Sequence, residues 1–216
     1  MAQRKGKTII LESKPCIIAN AGVAGKKESE GPLGEAFDET YEDTTMGQDS
    51  WEKAETELMK RAIELAISKA ALEKSEIDAV FAGDLLNQCI GSSFAIREMN
   101  IPSVGLYGAC STMALSLCMA ALAVESGGFS SVIAATSSHF CSAEKQFRYP
   151  LEYGGQRTPT AQWTVTGSGA AVVSDRKSAI SPYVDKIHIG TIQDYGILDA
   201  ANMGAAMAPV DVKIEP

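Results

Sequence analysis

The sequence predicts an α/β fold, a mostly parallel sheet with helices on its faces. Three observations carry this. Apolar runs of strand length at 15–24, 77–83, 102–108 and 131–138 are interleaved, after the first, with helix-patterned segments at 50–71, 91–99 and 113–124. Strand-helix-strand repeats of this kind cross over right-handedly and lay successive strands parallel. The segment 113–124 has no polar face except Ser116, the pattern of a helix buried all round.

After a short basic start, PCIIANAGVA at 15–24, bounded by Pro15 and Gly25, reads as the first buried strand. Residues 25–48, with KESEGPLG at 27–34 and the acids Asp38, Glu39, Glu42 and Asp43, keep no period and read as a long polar loop. Loops of this length serve as solvated cover, lid or partner surface. Asp49 with Glu52 resembles a capping box. Trp51, Ala54, Leu58, Ala62 and Leu65 follow at helical spacing, which predicts an amphipathic helix over 50–71, with Met59 and Ile63 as ordinary packing. IDAVFAG at 77–83 gives the second strand, ending at Asp84. A short helix over 91–99 leads to the third, PSVGLYG at 102–108, which hands over at Cys110 to a helix started by Ser111 and Thr112. That helix is too short to span a bilayer, and Gly127 and Gly128 end it. SVIAATSS at 131–138 is the fourth strand and ends at His139.

Residues 140–161 read as a connection in which Phe147, Tyr149 and Tyr153 lie among Arg148, Glu152 and Arg157, a composition suited to recognition or to anchoring a loop. QWTVTGSGAAVVS at 162–174 reads as a strand kinked at Gly167 and Gly169; no helix follows its GxG, so it is weak support for nucleotide binding. YVDKIHIGTIQ at 183–193 gives a further strand with His188 in alternation, and two strands in succession predict an antiparallel edge. Residues 199–209 read as a loop entering a small-residue helix. One sheet covers only one side of the 113–124 helix, so a partner or a second half is expected to cover the rest.

The 216 residues are enough for one sizeable core. A net charge of −8 argues against general nucleic-acid binding, which needs a basic face. Five cysteines, at 16, 89, 110, 118 and 141, show neither CxxC pairing nor metal spacing, so reduced thiols are expected and zinc is not. No apolar run is long enough for a membrane span, and a soluble chain is expected.

Chemistry is expected at the carboxyl ends of the strands, where ligands collect in such sheets. Asp84, Cys110 and His139 each end a successive strand, so a carboxylate, a thiol and an imidazole can converge on one rim. At a helix start the free N–H groups and the helix dipole favour negative charge, which suits Cys110 to a thiolate or to cradling an anion. The alternatives are structural: Cys110 as a small buried residue, Asp84 as a turn cap and His139 as a satisfied polar group.

The order of elements, with a cysteine at the third strand-to-helix turn, resembles the N-terminal half of the thiolase fold. KESEGPLG, AGDLLNQ, LYGACST, ATSSH, AEKQFRYPLEYGGQ, TVTGSGA and NMGAAMAP more specifically resemble the stage V sporulation protein AD family of spore-forming bacteria, over nearly the whole chain up to about Pro209. The resemblance implies a thiolase-like αβαβα layered fold. Residues 1–216 are then the N-terminal half, about one βαβαβαββ repeat, without the second half.

It also implies a function: binding dipicolinic acid, free or as the calcium chelate, and helping a membrane-embedded spore complex move it into the developing spore. The chain would be peripheral to the spore inner membrane, with other proteins of that complex and a second copy of itself as candidate partners. No cofactor is implied beyond calcium carried with the ligand. Cys110 falls on the family's thiolase-type cysteine position. N–H groups near Cys110 and Ser111 would meet one ligand carboxylate and Arg148 the other, while Asp84 and His139 are pocket candidates and Asp84 would face bound calcium. In thiolase-fold enzymes the base and oxyanion groups come largely from the second half, which points to a non-catalytic binding protein. The alternatives are a cysteine-dependent acyl-transfer or condensing enzyme with His139 as base, and a docking surface that uses the acidic 38–43 loop.

Overall fold

The computed structural model describes residues 2–86, 88–147, 164–177 and 180–191. In chain order its strands are Gln3–Lys5 (β1), Thr8–Ile10 (β2), Cys16–Gly25 (β3), Glu39–Tyr41 (β4), Ala79–Asp84 (β5), Ser103–Gly105 (β6), Ser131–Ser138 (β7), Gly167–Ser174 (β8) and Lys186–His188 (β9). Its α-helices are Lys26–Ser29 (α1), Trp51–Lys69 (α2), Ile90–Met99 (α3), Thr112–Glu125 (α4) and Phe140–Phe147 (α5).

Six strands form the main sheet in the order β4-β3-β8-β7-β5-β6. β6, β5 and β7 run parallel, as the crossover argument requires. β8 is antiparallel to both of its neighbours, β3 and β7. The expected antiparallel edge is therefore wrong in place: the reversed strand is interior, because both β3 and β7 offer it an open edge. Its sequence suits that position. Small residues dominate its first half, and a Cβ at Gly167 would lie 2.8 Å from the Val23 carbonyl oxygen. The strand predicted at 183–193 shrinks to β9 and leaves the main sheet, pairing with β2 in a separate antiparallel sheet of order β1-β2-β9.

Period-2 alternation assigns the two faces. Val80 and Ala82 of β5 and Ile133 and Ala135 of β7 pack against Leu58, Met59, Ala62 and Ile63 of α2 and Ala95 and Ile96 of α3. Ala79, Phe81, Val132 and Ala134 point the other way, onto Leu117, Ala120 and Val124 of α4. α4 has its own second cover, since Ile9, Leu11 and Ile187 of the small sheet region reach Cys118, Ala121 and Leu122. The helix is thus sandwiched along its later turns. It is not buried all round, because Ala114 is exposed and Leu115 only half-buried near its start.

The other departures are local. α2 is capped by Ser50, whose side chain accepts from the Lys53 N–H, rather than by Asp49, which instead pairs with Lys53 Nζ at 2.7 Å. The 25–48 loop contains α1 and β4, and β4 adds to β3 in parallel. The third strand keeps only Ser103–Gly105, all exposed on the sheet edge. Part of the 140–161 connection is α5. The segment 199–209 lies outside the described residues, as do Arg148, Tyr149, Tyr153 and Arg157.

Candidate functional site

The turn that carries Cys110 is built on a glycine. A Cβ at Gly83 of β5 would stand 1.8 Å from the Leu106 carbonyl oxygen and 3.0 Å from Thr112 Cγ2, so only glycine lets the chain pass this close. The Leu106 N–H donates to the Ala82 carbonyl at 2.8 Å and fixes the approach. The turn then closes on itself. Thr112 Oγ1 donates to the Ala109 carbonyl at 2.8 Å and accepts from the Gly108 N–H at 3.2 Å. Ser111 sends both its hydroxyl, at 2.7 Å, and its N–H, at 2.9 Å, to the Gly108 carbonyl. Ala109 adopts φ +47°, a left-handed conformation costing a residue with a Cβ about 1–2 kcal/mol. A 3-10 turn over Ala109–Ser111 leads directly into α4.

The result is an exposed thiol at the positive end of a 14-residue helix. Ser111 stands at the N-cap position but makes no cap bond, its hydroxyl being turned back into the turn. Cys110 is therefore not the buried packing residue that was the alternative.

Asp84 and His139 are each buried among partners of their own. Asp84 shares the α2 and α3 face with Val80 and Ala82, and is 1% exposed. Its Oδ2 accepts from the Ser92 N–H and hydroxyl, each at 2.9 Å, and Oδ1 from the Leu86 N–H at 3.2 Å. His139 is also 1% exposed. Its Nε2 donates to the Thr44 carbonyl at 2.7 Å and its Nδ1 accepts from the Cys141 N–H at 3.1 Å, so both ring nitrogens are occupied. Burial holds the imidazole below its ordinary pKa, against the bond to Thr44. Asp84 ends β5 and His139 follows the neighbouring parallel strand β7, whereas Cys110 stands beyond the end of β6 in the 3-10 turn that starts α4, the helix that packs on the opposite face of the sheet from Asp84.

Sequence reasoning missed the residue that ties this inner face together. Glu55 of α2 is 3% exposed and accepts from Ser137 Oγ at 3.0 Å and Ser142 Oγ at 2.9 Å. Burial, with the nearby Asp84 charge, pushes its carboxyl up to about 7 against the two hydroxyl bonds. The available signal was spacing: Glu55, Met59 and Ile63 follow one another at i, i+4, which puts a carboxyl in line with two core residues.

The acidic 38–43 run is engaged within the chain. Asp38 pairs with Lys69 at 2.7 Å, Glu39 with Arg61 at 2.7 Å and Glu42 with Lys26 at 2.8 Å, and Asp43 takes the N–H groups of Thr45 and Gly47. Lys69 holds the Asp38 carboxyl below the usual range, against a smaller cost of burial. Among the described residues no cluster of three or more His, Cys, Asp or Glu is arranged to hold a metal, and no helix is long and apolar enough to cross a membrane.

Comparison with known proteins agrees with this architecture. The family model described as stage V sporulation protein AD matches residues 5–214. Stage V sporulation protein AD of Bacillus subtilis (strain 168) is 44% identical over 205 residues, covering 94% of this chain and 60% of the relative. The chain thus spans about 60% of the length of the curated relative it matches. Among solved structures, 3-oxoacyl-[acyl-carrier-protein] synthase III from Aquifex aeolicus VF5 is similar at TM-score 0.50 and 17% identity, over 76% of this chain and 54% of that one. A variant of OleA from Xanthomonas campestris gives TM-score 0.52 at 12% identity, over 76% and 59%. At these identities the likeness shows the fold alone, and the fold is part of a thiolase fold.

Proposed function

Since the chain belongs to the stage V sporulation protein AD family, we propose that it is a sporulation protein that binds dipicolinic acid, free or as its calcium chelate, and assists its uptake into the developing spore. The observation that carries the non-catalytic part of this reading is the state of His139. A thiol nucleophile needs a base within hydrogen-bond reach. Of the chain's two imidazoles, His139 has both nitrogens committed, and His188 sits in the small sheet with Nδ1 3.0 Å from Thr8 Oγ1. Cys110 is an exposed thiol with neither imidazole arranged to activate it.

In this reading the helix end beside Cys110 attracts one carboxylate of the ligand through the dipole of α4, Ser111, whose hydroxyl and N–H both go to the Gly108 carbonyl, holds the shape of that end, and Arg148 meets the second carboxylate. Asp84 and His139 shape the pocket from behind by fixing the ends of β5 and β7. Calcium arrives with the ligand, whose own oxygens supply much of its coordination. Proteins of the same spore-membrane complex are the proposed partners, with the chain peripheral to the spore inner membrane. A second copy is proposed at the open β6 edge, where Val104 and Tyr107 are exposed.

The test pairs calorimetry with mass spectrometry. Saturable heat on titrating dipicolinate, with no covalent adduct after incubation with acyl-coenzyme A, is the expected outcome. An acyl adduct on Cys110 with no dipicolinate heat overturns the reading in favour of acyl transfer.

A further inference from the structure

The charges of this acidic chain are unevenly placed. The whole chain carries −8, yet residues 2–14 hold four cations, Arg4, Lys5, Lys7 and Lys14, against the single acid Glu12. Around α2 the cations are neutralised: Lys53, Lys60, Arg61 and Lys69 each stand 2.7–3.0 Å from a carboxylate oxygen. Among the described residues Arg4, Lys5 and Lys7 form no ion pair, and Lys186 has only its neighbour Asp185, at 3.6 Å.

The register of the small sheet gathers these cations. Arg4, Ile9 and Ile187 form one cross-strand row, and its two isoleucines pack against α4. The rows on either side, Lys5-Thr8-His188 and Gln3-Ile10-Lys186, therefore face away from α4. Thr8 Oγ1 and His188 Nδ1 tie the first of them at 3.0 Å. Arg4, though in the inner row, is exposed on the edge strand and turns its Nε to the Gly6 carbonyl at 2.9 Å. Lys7 completes the turn, its Nζ donating to Thr191 Oγ1. Arg4, Lys5 and Lys7 thus surround Gly6 at the hairpin tip. Ile189, 54% exposed, stands beside them, its N–H donating to the Lys7 carbonyl at 3.0 Å.

The composition of this tip selects its partner. Lysine is a point charge on a flexible stem, and the stem can lie along apolar surface while the ammonium reaches outward. Protein interfaces favour arginine and aromatic side chains over lysine. A lysine-rich face with an exposed isoleucine instead suits the charged surface of an anionic bilayer. We propose that the β1-β2 hairpin tip and the outer face of the small sheet dock on the anionic headgroups of a phospholipid membrane. This rests on the reading of the chain as peripheral to a membrane and names the face that meets it. It does not depend on what the Cys110 end of α4 binds.

Co-sedimentation of the full chain with phospholipid vesicles tests this. The chain is expected to bind vesicles of equal parts phosphatidylglycerol and phosphatidylcholine, to ignore phosphatidylcholine alone, and to be released as salt rises from about 0.05 to about 0.5 M. Lys5→Gln and Lys7→Gln are each expected to weaken binding about fivefold, and the double variant about 25-fold. The double variant is expected to keep the wild-type Tm to within about 2 °C, so that its loss is not one of folding. Lys53→Gln alters the net charge equally but lies on α2, and is expected to bind like the wild type to within about twofold. Equal wild-type binding to both kinds of vesicle overturns the proposal, and so does a Lys53→Gln loss as large as that of Lys5→Gln. Anionic binding that survives in the double variant overturns this face while leaving the peripheral reading in place. No vesicle binding by the wild type removes both, and retention on polyglutamate in that case assigns the tip to an acidic protein instead.

Discussion

Gly83→Ala is the sharpest test of how the Cys110 turn is held. The added methyl would lie 1.8 Å from the Leu106 carbonyl oxygen, whereas even close C···O contacts need about 3.3 Å. Either β5 or the 106–112 turn must move by roughly 1.5 Å to restore that contact. β5 cannot yield easily, since all six of its residues are buried and it is paired on both edges. The turn yields instead, and the bond from the Leu106 N–H to the Ala82 carbonyl is lost with it. Overpacking of about 2 kcal/mol and a lost hydrogen bond of about 1 kcal/mol give a cost near 3 kcal/mol. In a chain of this size that is a fall of about 6–12 °C in Tm. Scanning calorimetry reads it directly, and the rate of Cys110 alkylation reports the displaced turn. A Tm within about 2 °C of the wild type would refute the claim that this close approach builds the turn.

Three further outcomes follow from the same structure. Because burial raises the Glu55 carboxyl to about 7, stability to urea is expected to fall as pH rises from 4.5 to 7, by at most about 1.4 kcal/mol per unit, and Glu55→Gln to remove most of that slope. Asp84→Asn deletes the neighbouring charge, so the falling limb is expected to end at a lower pH than in the wild type, even though the variant is less stable throughout; a limb ending at the same pH would show that the two carboxyls do not interact. Val104→Lys places a charge on the exposed β6 edge and is expected to convert a dimer to a monomer in sedimentation velocity, whereas a wild-type monomer removes the proposed second copy.

Much of the fold is legible in the residues because burial fixes period. SVIAATSS at 131–138 is β7 without a residue of error, the run at 15–24 shifts by one residue at both ends, and the run at 91–99 gains one residue at its start. α2 was legible from its apolar stripe, while its cap was not: Asp49 and Ser50 are both good caps, and the choice fell to Ser50 once Lys53 had engaged Asp49. The place of β8 could not be read, because strand sequence says nothing about which open edges await it.

The same limit explains the site. Strand ends locate a rim, and Asp84 ends β5 while His139 directly follows β7, but Cys110 stands beyond the shortened β6 in the 3-10 turn that starts α4, and the face each presents depends on residue parity and on the layer beyond. Asp84 shares parity with Val80 and Ala82 and so meets α3, while Gly83 faces Leu106 and Thr112 at the start of α4 with no room for a methyl. Glu55 was hidden for a different reason: an acid in an amphipathic helix is ordinarily solvated, and only the packed structure shows that this one is dry.

The central claim is that the Cys110 end of α4 holds dipicolinate as a ligand. Calorimetric titration of dipicolinate into the wild-type chain and into Cys110→Asp tests it most directly. Asp suits a helix start, so the variant is expected to fold, while its charge opposes a dicarboxylate at that point. The account predicts saturable binding that weakens by about tenfold or more in the variant, equivalent to about 1.4 kcal/mol. Equal affinity in the two proteins, or no binding to the wild type, would contradict it.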